Sequence, residues 1–149
     1  SKKRLDAAYE ILSSETDTEG KPFDIIRMPI AKPIELVLNP EDDDYALYRG
    51  FIDELGGRFM DGTPWPEGPV HFYAAASYCN FLICNDVVLG QRYWHEGMDE
   101  DIRRRDNQAK TVLESCFPNR EIIMIDSLAL NLMGGGVHCW TKDVAAADA

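Results

Sequence analysis

Apolar positions change their period several times along this chain, and each change marks an element. Leu5, Ala8, Ile11 and Leu12 share one face at helical spacing, which predicts a helix from Lys3 to Ser13. Ser14 to Lys21 is polar, carries Glu19-Gly20 and reads as a turn. Phe23-Asp24-Ile25-Ile26-Arg27-Met28 then reads as a strand ended by Pro29. Pro33 to Leu38 is extended. Asn39 is placed as an N-cap and Pro40 as the first position of a helix, with acids in its first turn from Glu41 to Asp44. Tyr45, Leu47, Tyr48, Phe51, Ile52 and Leu55 give that helix its apolar face, and Gly56-Gly57 ends it. The acidic run thus has an ordinary structural explanation, with metal binding as the alternative.

From Phe59 to Pro69 the chain is rich in Gly and Pro with Phe59 and Trp65 among them, a loop that either gates a pocket or simply connects. Strand character returns at Phe72 and runs clearly from Tyr78 to Ile83; Asn85-Asp86 turns it into Val87–Gln91 as a hairpin. Met98 to Phe117 carries the strongest helical period, with Asp99, Glu100 and Asp101 at its start. Ile102, Ala109, Val112, Leu113 and Cys116 form its buried stripe, and Pro118 stops it. Glu121 to Asp126 reads as a buried strand. Gly134-Gly135-Gly136 then precedes Val137-His138-Cys139-Trp140-Thr141, whose residue types predict a short strand, and the tail from Val144 is expected to fray. The order is α/β with mixed strand directions.

A chain of 149 residues, 45% hydrophobic, can build one ordinary domain with a core. It opens on Ser1 and reads as a piece of a longer protein. It has no run near the ~18 apolar residues of a membrane span and no signal-like N-terminal segment. The net charge of −11 argues against nucleic acid and mildly favours a cationic small molecule. The four cysteines, Cys79, Cys84, Cys116 and Cys139, are scattered without zinc-type spacing, which points to a reduced, cytoplasmic chain without a metal or other cofactor. Cys79, Cys84 and Cys116 read as small buried hydrophobes.

Cys139 is the sharpest chemical candidate, because the glycines can bring backbone N–H groups to a thiolate. By residue type alone, a buried strand cysteine is the default reading and a nucleophile the alternative. Alternation on a strand would turn His138 away from Cys139 and make it structural. His71 and His95 have no partner at recognisable spacing. Asn80 either orients a substrate or fixes a turn, the turn being the default.

Taken together, Ala76-Ser77-Tyr78-Cys79-Asn80-Phe81-Leu82-Ile83-Cys84-Asn85, the helix ending Phe117-Pro118-Asn119-Arg120-Glu121, and Gly134-Gly135-Gly136-Val137-His138-Cys139-Trp140-Thr141 resemble the C-terminal part of the agmatine deiminase and Porphyromonas-type peptidylarginine deiminase family. Arg27-Met28-Pro29 is similar to that family's strand end before a variable loop. The resemblance spans Arg4 to Thr141 and is loosest from Asp42 to Gly68. It implies a pentein, a propeller of ββαβ modules around an acidic channel. Residues 1–149 would be the C-terminal portion of one catalytic domain, about two-fifths of it, with 40–70 a variable helix and loop insertion and 142–149 a tail. It further implies Cys139 as a nucleophile that attacks a guanidinium carbon, releases ammonia and passes through a thiouronium, converting agmatine to N-carbamoylputrescine. Asn80, Gly135 and Gly136 would line the substrate site.

The resemblance also places the family's H-x-D histidine and its guanidinium-binding acids upstream of Ser1, so the chain alone is expected to be inactive. Gly136 and Thr141-Lys142-Asp143 depart from the agmatine-type pattern, which leaves peptidyl-arginine or free arginine as alternative substrates. A non-catalytic pentein-like binding domain is the reading from another class. Module faces exposed in such a piece predict a homo-oligomer.

Overall fold

The computed structural model describes residues 2–65 and 67–144. Its elements are α1 (Lys2–Ser14), β1 (Glu35–Leu38), α2 (Tyr45–Glu54), β2 (Val70–Tyr73), β3 (Leu82–Cys84), β4 (Val87–Arg92), α3 (Glu100–Cys116), β5 (Glu121–Asp126), α4 (Leu128–Leu132) and a 3-10 turn, His138–Trp140. The strands form two sheets, β1–β2 and β3–β4–β5. β1 and β2 run antiparallel, Glu35 opposite Tyr73 and Leu38 opposite Val70. β3 and β4 make the expected hairpin, Cys84 opposite Val87, with Asn85 at φ 47° in the turn. β5 joins β4 in parallel from Val87–Glu121 to Arg92–Asp126, so α3 is the crossover that such a pair requires. The result is α/β with both strand directions in one sheet. No helix among the described residues is long and apolar enough to cross a membrane.

α3 forms because its ends and its stripe agree. The Asp99 carboxylate accepts the Asp101 N–H at 2.7 Å, and Glu100 and Asp101 sit where the helix dipole favours negative charge. Ile102, Ala109 and Leu113 are buried, the first two in a cluster with Ala31, Ile34, Tyr78 and Tyr93. Burial of a large aliphatic side chain of this kind contributes about 1.5–3 kcal/mol. At Gly90 the approach is so close that a Cβ would lie 2.6 Å from Met124 Sδ and 2.9 Å from Leu113 Cδ1.

One polar residue sits on the same stripe. Asp106 is 7% exposed and accepts from Tyr78 Oη at 2.7 Å, Tyr93 N at 3.0 Å and Trp94 N at 2.9 Å. Three donors compensate the carboxylate for its lost water. They also fasten α3 to the end of β4 and to the turn that begins at Ser77. Burial, then the bond to Asp106, pushes the Tyr78 phenol far above its usual range.

Several expectations are corrected. Residues 23–34 join no ladder: the apolar residues of this segment pack against the core through Met28, Ala31 and Ile34 without a strand partner. α2 starts at Tyr45, later than Pro40 suggested. Asn39 does not cap it; instead the Asp42 carboxylate accepts the Asn39 N–H at 2.6 Å, and overlapping turns occupy residues 39–44. Its apolar face is split, with Ile52 buried and Leu47, Phe51 and Leu55 exposed. Tyr78 to Asn80 is a turn, and β3 begins only at Leu82. β5 is half-buried in alternation rather than buried throughout. Cys79 and Cys84 are exposed and Cys116 only partly covered, so none of the three is a fully buried core residue. Of the expected frayed tail, 145–149 lie outside the described residues.

Candidate active site

The glycine run does not launch a strand. Gly134 takes φ 88°, a left-handed conformation that a side chain would strain, and the chain then coils into the 3-10 turn His138–Trp140. Gly135 and Gly136 are needed for space. A Cβ on Gly135 would meet the Trp140 indole at 2.5 Å; one on Gly136 would lie 2.6 Å from Asn80 Nδ2 and 2.7 Å from Gln91 Oε1. Local β-propensity from Val137 to Thr141 is therefore overruled by a tight turn packed beneath two side chains. Both glycines are buried, while His138, Cys139 and Trp140 are exposed.

Opposite this turn stands Asn80. Asn80 N–H donates to Ser77 O at 3.3 Å, and Ser77 Oγ accepts the Cys79 N–H at 3.3 Å, which closes the turn before β3. The two turns meet through the Asn80 side chain. Its Nδ2 donates to Cys139 Sγ at 2.9 Å, and its Oδ1 accepts the N–H groups of His138 at 3.0 Å and Cys139 at 3.3 Å. The amide oxygen is held by two backbone donors, so the amide nitrogen faces the sulfur. Asn80, then the Gly136 backbone amide, holds the Cys139 thiol below its ordinary pKa.

The thiol faces an open cleft of about 350 Å³ lined by Ser77, Cys79, Asn80, His138 and Cys139. His138 and Cys139 both line this cleft, and the strand whose alternation was to turn them apart is replaced by a 3-10 turn, on which successive side chains do not alternate. Among the described residues, no imidazole nitrogen is hydrogen-bonded to the sulfur. The other two histidines do find carboxylates, His71 Nδ1 at 2.8 Å from Glu35 and His95 Nε2 at 3.2 Å from Asp126. No described residue of the Phe59–Pro69 loop lines the cleft; this loop folds on itself, stacking Phe59 on Trp65 with ring centroids 4.1 Å apart. Among the described residues, no three His, Cys, Asp or Glu side chains gather into a metal site.

Two buried polar residues behind the cleft, Gln91 and Asn131, were not singled out by the sequence. They are 0% and 1% exposed, and Asn131 Nδ2 donates to Gln91 Oε1 at 3.1 Å and to Gly135 O. The available signal was modest: a glutamine in the otherwise apolar run Val87-Val88-Leu89-Gly90, and an asparagine between two leucines.

A family model described as Porphyromonas-type peptidyl-arginine deiminase matches residues 1–144. The chain is 32% identical over 143 residues to the agmatine deiminase of Pseudomonas fluorescens strain SBW25, covering 96% of this chain and 33% of that protein. It is 28% identical over 144 residues to the agmatine deiminase of Medicago truncatula, again over 96% of this chain and 33% of the relative. Among solved structures, the agmatine deiminase of Enterococcus faecalis is similar with a TM-score of 0.52 at 24% identity, over 89% of this chain and 30% of that one, a likeness that speaks for the fold alone. The chain spans about a third of the length of these curated relatives, somewhat less than the two-fifths expected. On the match across residues 1–144, the chain belongs to the Porphyromonas-type peptidyl-arginine deiminase family.

Proposed function

We propose that this chain carries the nucleophile of a guanidine deiminase, with Cys139 as the attacking residue and the modules of a pentein propeller completing the site around it. The observation that carries this reading is the exposed thiol at the cleft, faced by an amide donor at 2.9 Å that favours its anion. A guanidinium carbon is deactivated by resonance, so it calls for a soft, strong nucleophile, and a bound cation further favours the thiolate. The thiolate adds to the carbon, the tetrahedral adduct expels ammonia as its nitrogen is protonated, and water hydrolyses the remaining thiouronium to a ureido product and free thiol.

Other parts of that chemistry are not carried by the residues lining this cleft. They include no carboxylate to clamp a guanidinium, and their one imidazole, His138, makes no bond to the sulfur. A paired carboxylate and a positioned proton donor are what the substrate's charge and the leaving ammonia require. This supports the reading that the chain supplies one part of a longer enzyme and is inactive alone. Agmatine is the substrate we favour, from the two agmatine deiminases above. Peptidyl-arginine is the second reading, favoured by the family's description and by Gly136 and Thr141-Lys142-Asp143 at positions where the agmatine-type pattern differs.

The test is ammonia release from agmatine and from an arginine peptide by the longer protein that contains this chain, with and without Cys139→Ala. Loss of all turnover in the variant is expected. Turnover that survives it ends the proposal, and whichever substrate is consumed settles the second question.

A further inference from the structure

Asn80 and Cys139 stand on two separate turns, and one buried side chain reaches the backbone of both. Gln91, on β4, is fully buried at 0% exposure and is not among the residues lining the cleft. Its Nε2 donates to Ser77 O, the same carbonyl that accepts the Asn80 N–H. Its Oε1 accepts the Val137 N–H at 3.3 Å, and Val137 is the residue that precedes the 3-10 turn bearing Cys139. Asn131 Nδ2 donates to that same oxygen at 3.1 Å while also holding Gly135 O, so the glycine turn is tied to Gln91 at two points.

We propose that Gln91 is a positioning residue for the nucleophile: by holding Ser77 O on one side and Val137 N on the other, its amide sets the separation of the two turns and so the contact between Asn80 Nδ2 and Cys139 Sγ. The inference rests on the reading of Cys139 as the nucleophile. Its physical basis is the steep dependence of a hydrogen bond on distance and angle, together with the cost of leaving buried partners unpaired. A side chain of the same length without polar ends would leave the Val137 N–H unpaired and Ser77 O with the Asn80 N–H alone, so that Asn80 would join the two turns without this second tie beneath it.

The experiment is site-resolved alkylation of the full chain with iodoacetamide across a pH series, read by mass spectrometry. Cys84, exposed on β3, serves as the internal reference. In Gln91→Met the Cys139 rate at neutral pH is expected to fall relative to Cys84 by up to about ten-fold, the change in thiolate fraction that one pKa unit brings, with the midpoint of its pH profile moved upward. A lower melting temperature with an unchanged Cys139 profile would mark Gln91 as a core residue only and overturn the proposal. Should Gln91→Met not fold, Gln91→Asn decides in the same way. It adds no charge and keeps an amide, but one methylene shorter it cannot span Ser77 O and Val137 N together, so an upward shift is expected; no shift overturns the inference. Because the readout is the thiol itself, it is separate from the turnover of Cys139→Ala, whose survival would remove the nucleophile reading instead.

Discussion

At Cys139 the groups that lower the thiol pKa are neutral, first the Asn80 amide and then the Gly136 backbone, with no cation hydrogen-bonded to the sulfur among the described residues. Asn80→Ala removes the first of these and leaves the Cys139 N–H without its acceptor. Its expected effect is an upward shift of the Cys139 alkylation profile, measured as rate against pH; an unmoved midpoint would show that Asn80 does not hold the thiolate. The linkage to stability has a definite sign. A thiol whose pKa is lowered in the fold adds stability above its unfolded pKa, and that contribution disappears as the pH falls through the folded value. At this scale the sequence was partly legible. Cys139 and Asn80 were reachable through the family's spaced motifs, although residue type alone favoured a buried cysteine and a turn asparagine. Asn80 proves to close a turn and to face the thiol as well. Gln91 escaped notice because one polar residue near the end of an apolar strand looks like the strand's limit, when in fact it is aimed inward.

Among the elements, α3 is the most firmly specified, since period, N-cap and acidic first turn all agree, and its observed limits fall close to the expected ones. Its weak point under substitution is Asp106. Asp106→Ala would leave the Tyr78 hydroxyl, the buried Tyr93 N–H and the part-buried Trp94 N–H unpaired, an expected loss of about 3 kcal/mol in denaturant-unfolding free energy. A change below roughly 1 kcal/mol would contradict the claim that this carboxylate fastens α3 to β4. The segments read less well share one cause. Phe23–Met28 and Val137–Thr141 have strand composition, yet one finds no sheet edge to join and the other is bent by Gly134 and the packing of its neighbours. Propensity describes a residue's preference on a pleated surface, and it loses where the chain supplies no partner. The Asn85-Asp86 hairpin was legible because its turn chemistry is local.

For the molecule as a whole, the notable feature is apolar surface left uncovered. Leu5, Ile11, Ile26, Ile30, Phe51 and Leu55 are each about half exposed or more, and α1 with the segment from Ile25 to Ala31 lines an apolar groove. Faces of this kind favour association, while the net charge of −11 opposes it. The expected outcome is a species heavier than 16.8 kDa by light scattering, growing with added salt as the repulsion is screened. A monomer at every ionic strength would count against it. The mixed α/β class was legible from the order of periods along the chain, but how the sheets divide was not, because strand pairing is a non-local choice. The bond between Asn80 and Cys139 joins positions 59 residues apart. A denatured or half-synthesised chain has no such neighbour for its sulfur, so whatever the amide does to that thiol waits on the completed fold.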